Sequence, residues 1–219
     1  MKNKKTLYFI LMFLPLLVTL ITLPFLPESI PAHYNLAGEI DRWGSKYESL
    51  IFPVFIIGIG FFMLWMAKVS AKQEENGKNN EKIVFYTGMG LSAFFTVEHS
   101  YFLYKDFAAA KSMSFSGAGD VNQLICILLG ISLVIMGNFM PKLRNNSIIG
   151  LRTSWSTKND ITWKKSQIFG GISFIIGGAL MIIAGIFMEG YTAMCVALGI
   201  IIICTIAGTI YSYIAAKKY

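Results

Sequence analysis

The sequence predicts an all-α, polytopic membrane protein: a bundle of six transmembrane helices with both termini in the cytoplasm. Two observations carry this prediction. Only 14% of the 219 residues are charged, against about a quarter in soluble domains, and 55% are hydrophobic. Uncharged apolar runs of about 20 residues, enough to cross a hydrocarbon core about 30 Å thick, recur along the whole chain.

The apolar runs define six spans. Their approximate bounds are 6–26, 50–67, 83–104, 121–140, 168–188 and 192–214. Each is predicted as a helix, because backbone polar groups in lipid must be satisfied within their own segment. The first run has the basic start of a secretory signal but is too long for one, so we expect an uncleaved span; cleavage after Ala32 is the alternative. The chain is thus predicted to be one integral membrane domain over residues 1–219.

The orientation follows from the basic residues. With the N-terminus in the cytoplasm, 15 of the 19 Lys and Arg residues fall on the cytoplasmic side, and only Arg42, Lys46, Lys105 and Lys111 fall outside. This is the positive-inside bias. The net charge of +7 is therefore a topology signal, and no direct nucleic-acid partner is expected. The three cysteines lie in apolar runs, an odd number that predicts neither a disulfide framework nor a thiolate metal site; no cofactor is expected.

Small residues recur at helical spacing in three of the spans. Such stripes mark places where membrane helices approach closely. They are Gly88, Ser92, Thr96 and Ser100 in the third span, Ser173 and Gly177 in the fifth, and Cys204, Gly208 and Ser212 in the sixth. We expect these three helices at the centre of the bundle; pore lining is the alternative.

The first outer loop, residues 26–49, is a compact polar module between two apolar runs. Pro27 and Pro31 cannot continue a helix and predict an extended arm. Gly38 and Gly44 then predict tight turns. We expect an ordered loop over the mouth of the bundle.

Candidate ligand-facing residues cluster in this loop and in the third span. They are His33, Glu39, Asp41, Arg42, Trp43, Glu98 and His99. His33, Glu39 and Asp41 could ligate a divalent metal, or could hold a turn together by hydrogen bonds. Trp43 suits the headgroup level of the membrane.

Glu98 and His99 lie at membrane depth, where an ionisable side chain is by default a functional candidate. In one interpretation they meet His33, Glu39 or Asp41 and form an outward polar site for a metal, a proton or a peptide. In the other they pair with Arg42 or Lys46 and pin the loop to the bundle.

The inner loop between the fourth and fifth spans has the most specific composition. Pro141 is expected to stop the fourth helix, and Asn138 to bind carbonyls freed there. A helix is predicted from Thr157, with Asn159 or Asp160 as its N-cap. The candidate residues for a cytoplasmic motif or partner surface are Asn138, Pro141, Arg144, Asn146, Gly150, Arg152, Trp155 and Trp163.

A family resemblance rests on these residues. G-N-x-M-P-K at 137–142, N-x-x-I-G-L-R-T at 146–153, Trp155 and Trp163 resemble the core motif of the SdpI-like family, the immunity proteins that protect bacilli from the sporulation-delaying peptide toxin. This core is placed at 121–214. The outer loop, with L-P-x-x-I-P-x-H and G-E-I-D-x-W-G-S-K, resembles a short module of unknown function that often accompanies the family. One position departs: the chain has Thr153-Ser154-Trp155 where T-P-W is expected, which predicts a less rigid turn.

The resemblance implies a non-enzymatic immunity protein of the bacterial plasma membrane that blocks a secreted toxic peptide. It also implies, for some members, recruitment of a cytoplasmic transcriptional repressor once toxin is sensed. The basic residues Arg144, Arg152, Lys158, Lys164 and Lys165 suit an acidic partner or, as an alternative, anionic lipid. Trp155 and Trp163 could equally be interface anchors.

Two other classes of function remain open from the residues. One is a metal-dependent enzyme that acts on a peptide at the outer face through the His and acidic residues. The other is a small transporter, although the chain has neither a convincing internal repeat nor a nucleotide-binding loop.

Overall fold

The computed structural model describes residues 2–35, 39–72, 77–110, 120–146 and 149–219; the turn predicted at Gly38 lies outside these ranges. The helices are α1 (Lys2–Thr22), α2 (Ile51–Ala71), α3 (Gly77–Ala110), α4 (Val121–Phe139), α5 (Asp160–Phe187) and α6 (Gly190–Lys218). Strands β1 (Ser29–Tyr34) and β2 (Ile40–Ser45) form an antiparallel hairpin between α1 and α2. Short 3-10 segments cover Leu23–Phe25, Lys46–Leu50 and Met140–Lys142.

The mostly all-α, polytopic architecture is confirmed. Within the described ranges, five helical segments are long and apolar enough to cross a membrane: Asn3–Phe25, Lys46–Ala71, Val121–Lys142, Asp160–Phe187 and Gly190–Lys218. Helix α3 is the longest of the six at 34 residues, but it is less apolar and carries charged residues near both ends. The count of six spans and the orientation therefore stay predictions.

The helices pack as two groups of three. Helices α1, α2 and α3 form one group and α4, α5 and α6 the other, and the two groups meet mainly through α3 and α4. The expected central group of α3, α5 and α6 is therefore not formed, because α3 packs with α1 and α2 and meets the other group mainly through α4. The small-residue stripe of α3 faces α1, where Gly88 lies against the Tyr8 hydroxyl and the Thr96 hydroxyl donates to the Leu11 carbonyl, 3.1 Å away.

The closest helix pair is α4 and α5, which touch backbone to backbone. A Cβ atom at Gly130 would lie 2.6 Å from the carbonyl oxygen of Gly178, and one at Gly137 would lie 2.5 Å from that of Gly171. These distances are shorter than a van der Waals contact, so only glycine fits. This helix pair was not predicted, although these two glycines of α4 and these two of α5 are each seven residues apart in the sequence.

Two prolines shape the helices in different ways. Pro15 lies inside α1 and leaves the Leu11 carbonyl without its helical donor. The Thr96 hydroxyl of α3 lies 3.1 Å from that carbonyl and 2.7 Å from the Ser92 carbonyl of its own helix, so the two carbonyls share its one proton. Pro141 follows the end of α4, as predicted. Asn138, however, donates to the Val134 carbonyl of its own helix, 3.0 Å away, rather than to a carbonyl freed by the proline.

The two structured loops lie at opposite ends of the bundle. The hairpin contacts the last part of α3, where the rings of Tyr34 and Phe102 are 5.7 Å apart. The segment after α4 contacts the first part of α3, where Asn79 donates to the Lys142 carbonyl and Ile83 packs against Leu143. At 1.5 Å per residue the two contact points are separated by about 30 Å, the thickness of a hydrocarbon core. We call them the hairpin end and the loop end.

Candidate functional site

The outer module forms a hairpin in which the predicted extended arm is one strand. Ser29 pairs with Ser45, and Ile30 with Gly44. Gly44 therefore lies inside β2 and not in a tight turn, which corrects the prediction. A side chain at Gly44 would collide with the Glu48 carboxylate, and its Cβ would lie 2.7 Å from Cβ of Ala32. Ile30 is buried, so its side of the hairpin faces the bundle.

Ion pairs fix the hairpin to its own flanks. Arg42 Nη2 lies 2.9 Å from Glu48 Oε2 and also donates to the Ala32 carbonyl at 3.3 Å. Lys46 Nζ lies 2.7 Å from Glu28 Oε1. Hydrogen bonding to Glu48 raises the pKa of Arg42 above its usual range. The alternative in which Arg42 or Lys46 pairs with Glu98 or His99 is therefore wrong.

The three predicted metal ligands of the loop do not share a site. His33 Nδ1 lies 2.6 Å from Asp41 Oδ1 across the hairpin. Glu39 instead accepts a hydrogen bond from the Asn35 amide, 3.0 Å away. Among the residues that the structure describes, no three His, Cys, Asp or Glu side chains form a group that could hold a metal ion. The geometry matches the hydrogen-bonded turn, and Trp43 lies exposed on the hairpin surface.

His99 is buried between three helices. Its Nε2 lies 2.7 Å from Oγ1 of Thr19 in α1, and its ring stacks on Phe52 of α2 with centroids 6.0 Å apart. Glu98 is half-buried on another flank of α3 and, within the described chain, forms no ion pair. The two neighbours in sequence therefore do not act as one polar site.

A cavity of about 520 Å³ lies beneath the hairpin, between the two helix groups. We call it the outer cavity. Of the predicted residues, it brings together His33, Arg42 and His99, whereas Glu39, Asp41, Trp43 and Glu98 lie elsewhere. Six further polar residues that line it were not among the predicted site residues: Tyr34, Asn35, Glu48, Ser49, Asp106 and Asn122.

The pKa of the Tyr34 hydroxyl reflects the burial and the charge in the outer cavity. Burial raises the pKa of this hydroxyl from 10.0 to about 12, and the electrostatic influence of Asp106 adds to the rise. Asp106 follows the predicted end of the third span by only two residues. An acid at that position was the signal in the sequence that could have identified it.

At the loop end, the chain after α4 folds back into the second helix group. Leu151 donates its backbone N–H to Oε1 of Gln167, 3.0 Å away, and accepts from Nε2 of the same side chain at 2.9 Å. Gly150 has a φ of +116°, and a Cβ there would lie 2.8 Å from Gln167 Oε1. Glycine is therefore required at position 150 on two grounds. Gln167 was also missed; a lone amide in an apolar helix was its signal.

The turn at the departing motif position is held by side chains. Thr153 N–H donates to Ser156 Oγ at 2.8 Å, and Ser156 N–H donates to Thr153 Oγ1 at 3.0 Å. The Thr153 hydroxyl also lies 2.8 Å from that of Ser212 in α6. These reciprocal bonds hold the turn at the position where the proline is missing, and the lower rigidity expected there stays a prediction.

The two loop-end tryptophans have different environments. Trp163 is 2% exposed, donates from Nε1 to the Leu143 carbonyl at 2.9 Å, and packs on Ile83 and Met140. It is a core residue, so the interface-anchor alternative is wrong for it. Trp155 is 40% exposed and packs edge-on against Tyr213.

Asparagines fix the ends of the loop segment. Asn159 caps α5, as predicted, by accepting from Thr162 N–H at 2.9 Å. Asn146 donates to the carbonyls of Arg144 and Ile149, at 2.8 and 3.1 Å.

The predicted basic surface is divided into separate parts. Arg144 and Lys164 line a pocket of about 400 Å³ together with Lys142. Arg152 instead lines a separate, mostly apolar cavity of about 260 Å³. The Lys158 ammonium donates to the Ala216 carbonyl at 2.7 Å, which ties the loop to the end of α6.

These features define a class: a polytopic α-helical membrane protein with a structured, polar element at each end of its bundle. Residues 142–212 match the SdpI/YfhL protein family, and residues 10–57 match the Domain of unknown function (DUF1648). Immunity protein SdpI of Bacillus subtilis (strain 168) is 22% identical over 219 residues, 99% of this chain and 97% of that protein. The resemblance to the SdpI-like family is thereby confirmed. No solved structure matches the chain.

Proposed function

We propose that this chain is an immunity protein of the bacterial plasma membrane that protects the cell from a secreted toxic peptide without chemical catalysis. One observation carries the proposal: the similarity to Immunity protein SdpI runs through nearly the whole of both chains. The two family matches also cover the hairpin and the docked loop, the two elements at the opposite ends of the bundle.

The proposed topology has six spans in a single membrane domain, with the hairpin module of residues 26–49 outside. The bias of 15 basic residues to 4 supports this orientation. The outer cavity then opens toward the space from which a secreted peptide arrives. His33 and Arg42 at its wall are polar contacts for such a peptide, and its apolar walls suit the lipophilic side chains of a membrane-active one.

The SdpI-like core of residues 121–214 carries the cytoplasmic part of the proposal. The pocket formed by Lys142, Arg144 and Lys164 would face the cytoplasm and attract an acidic surface. A transcriptional repressor held at this pocket would be withdrawn from its operator, so the chain needs no nucleic-acid contact of its own. Trp155, exposed at the loop end, is a further contact candidate.

Expression in a toxin-sensitive bacterial host tests the immunity proposal. Cells that carry the chain should survive the related secreted peptides, while cells with the empty vector die. An Arg42→Gln variant, matched for membrane level by immunoblot, should protect less well. Unchanged killing by every related peptide, with the protein present in the membrane fraction, would overturn the proposal.

A separate measurement tests repressor recruitment. A tagged repressor encoded beside the chain should move to the membrane fraction on toxin addition, and the paired variant Arg144→Glu with Lys164→Glu should leave it in the cytosol. Recruitment that is insensitive to the charge reversal would exclude the basic pocket as the repressor-binding site and leave the immunity proposal intact.

A further inference from the structure

Asp106 is a buried carboxylate without a partner in the outer cavity. It is 6% exposed and forms no hydrogen bond or ion pair with any residue that the structure describes. Three basic side chains at this end of the bundle that the structure describes have other contacts. Arg42 pairs with Glu48, Lys46 pairs with Glu28, and the Lys105 ammonium lies 5.4 Å from the centroid of the Tyr101 ring.

Tyr34 gives a second, independent unpaired group in the same cavity. Its hydroxyl oxygen is fully buried and has no hydrogen-bond partner among the described residues. The Tyr34 ring lies 5.7 Å from that of Phe102, and Asp106 follows Phe102 by four residues, on the same face of α3. Tyr34 and Asp106 both line the cavity, and the Asn122 side chain lines it as well.

An unpaired buried carboxylate is costly, because it has lost water and gained no counter-charge, and burial accordingly raises the pKa of Asp106 to about 7. A cation that enters the cavity supplies the missing charge. A primary ammonium carries three N–H donors, which match a carboxylate and a hydroxyl oxygen with one donor to spare. Phe52, Phe102, Leu103 and Val121 form an apolar part of the wall, which suits a methylene stem that carries the ammonium.

We propose that the outer cavity binds a primary ammonium on an apolar stem, with Asp106 as its counter-charge and the Tyr34 hydroxyl as an acceptor. The source that fits the accessible hairpin side is a lysine side chain or the amino terminus of a secreted peptide. This inference deepens the proposed immunity function, since it assigns the part of the toxin that the site recognises.

The first test uses n-butylammonium as the probe and the purified full chain in nanodiscs of phosphatidylglycerol, a lipid without an amine. Isothermal titration calorimetry should detect binding of n-butylammonium and none of n-butanol, which has the same stem and no charge. Asp106→Asn should weaken binding by about tenfold or more, and Tyr34→Phe by about threefold. Glu189→Gln, which removes an exposed carboxylate between α5 and α6, should leave binding unchanged.

Two outcomes would overturn the inference. One is equal binding of n-butylammonium by the native chain and Asp106→Asn, and the other is equal binding of n-butanol and n-butylammonium by the native chain. The second comparison involves no substitution, so it decides the question even where a variant fails to fold. Addition of phosphatidylethanolamine should not displace the probe; displacement would assign the site to a lipid amine and overturn the peptide assignment.

The immunity assay separates this inference from the function on which it rests. Protection that survives Asp106→Asn, together with no binding of n-butylammonium by the native chain, would refute the cation site alone. Probe binding that depends on Asp106 in a chain that protects no host would refute the immunity function alone.

Discussion

The Nε2 atom of His99 lies 2.7 Å from the Oγ1 atom of Thr19, in a contact that joins α3 to α1. The Thr19 hydroxyl has one proton and directs it to the Pro15 carbonyl, 2.8 Å away. Thr19 must therefore accept from His99, which places a proton on Nε2. A histidine at membrane depth is thus accounted for by helix pairing.

We expect Thr19→Val to destabilise the protein, because it keeps the side-chain shape and removes the acceptor for His99. The loss should be about 1–3 kcal/mol, the cost of an unsatisfied buried donor. Thr19→Ser keeps the hydroxyl and is the matched control. Thermal unfolding in detergent micelles measures both, and equal unfolding midpoints for Thr19→Val and the native chain would contradict the assignment.

Gly150→Ala should destabilise the loop end by about 1–3 kcal/mol, because a positive φ strains any side chain and the added Cβ would meet Gln167. Gly199→Ala is the control: position 199 lies in α6 with open space around it, so stability should stay level or rise by up to about 1 kcal/mol. The same thermal unfolding measurement compares them. Equal midpoints for the two variants would argue against the docked loop.

Trp163→Phe should cost about 1–3 kcal/mol, because the buried Leu143 carbonyl loses its donor. Trp155→Phe should change stability by less than about 0.5 kcal/mol, since that ring is exposed at the surface. Chemical unfolding followed by circular dichroism ranks the two. The reverse ranking would mean that Trp155, and not Trp163, holds the loop in place.

The Tyr34 hydroxyl should stay protonated at a pH where an ordinary tyrosine ionises. Its folded pKa of about 12 lies above the ordinary 10.0, so the folded state holds the proton more tightly than the unfolded state. Stability that is fully present below pH 10 should therefore decline as the pH rises toward 12. NMR of tyrosine labelled at Cζ measures the titration, with Tyr34→Phe to assign the signal. Asp106→Asn should lower the midpoint of the Tyr34 titration. An unchanged midpoint would mean that Asp106 does not act on the Tyr34 hydroxyl.

Cysteine labelling tests the orientation, in a background where the three native cysteines are replaced by alanine. A membrane-impermeant maleimide added to intact cells should label Glu39→Cys. Lys165→Cys, an exposed position at the other end of the bundle, should react only after permeabilisation. The opposite pattern would place the hairpin in the cytoplasm and remove the basis for a toxin-facing cavity.

The parts that could be predicted from the sequence are those set by local chemistry. Scarcity of charge along apolar runs is enough to predict membrane helices, because no other structure satisfies the backbone in lipid. Pro141 ends a helix wherever it stands, and Asn159 caps one by reaching only three residues ahead. The motif residues of the loop likewise stand close together in the chain.

The parts that could not be predicted depend on contacts between distant segments. Asp106 and Tyr34 are 72 positions apart, and only the hairpin register brings Tyr34 over the end of α3. The small residues of α3 signalled a close helix contact but not its partner, which is α1. Gly44 was expected in a turn because glycine favours turns. Its strand pairing with Ile30 depends on a separate segment and could not be read from its sequence neighbours.

The way in which Gln167 holds Leu151 has a consequence for any signal that crosses the bundle. The Gln167 amide satisfies both backbone groups of a single loop residue, and the Ser156 hydroxyl also donates to the Leu151 carbonyl, at 2.9 Å. Release of the amide would leave the carbonyl one donor but would leave the Leu151 N–H without its acceptor. A cytoplasmic response that travelled through this loop would therefore have to provide a new acceptor for that N–H.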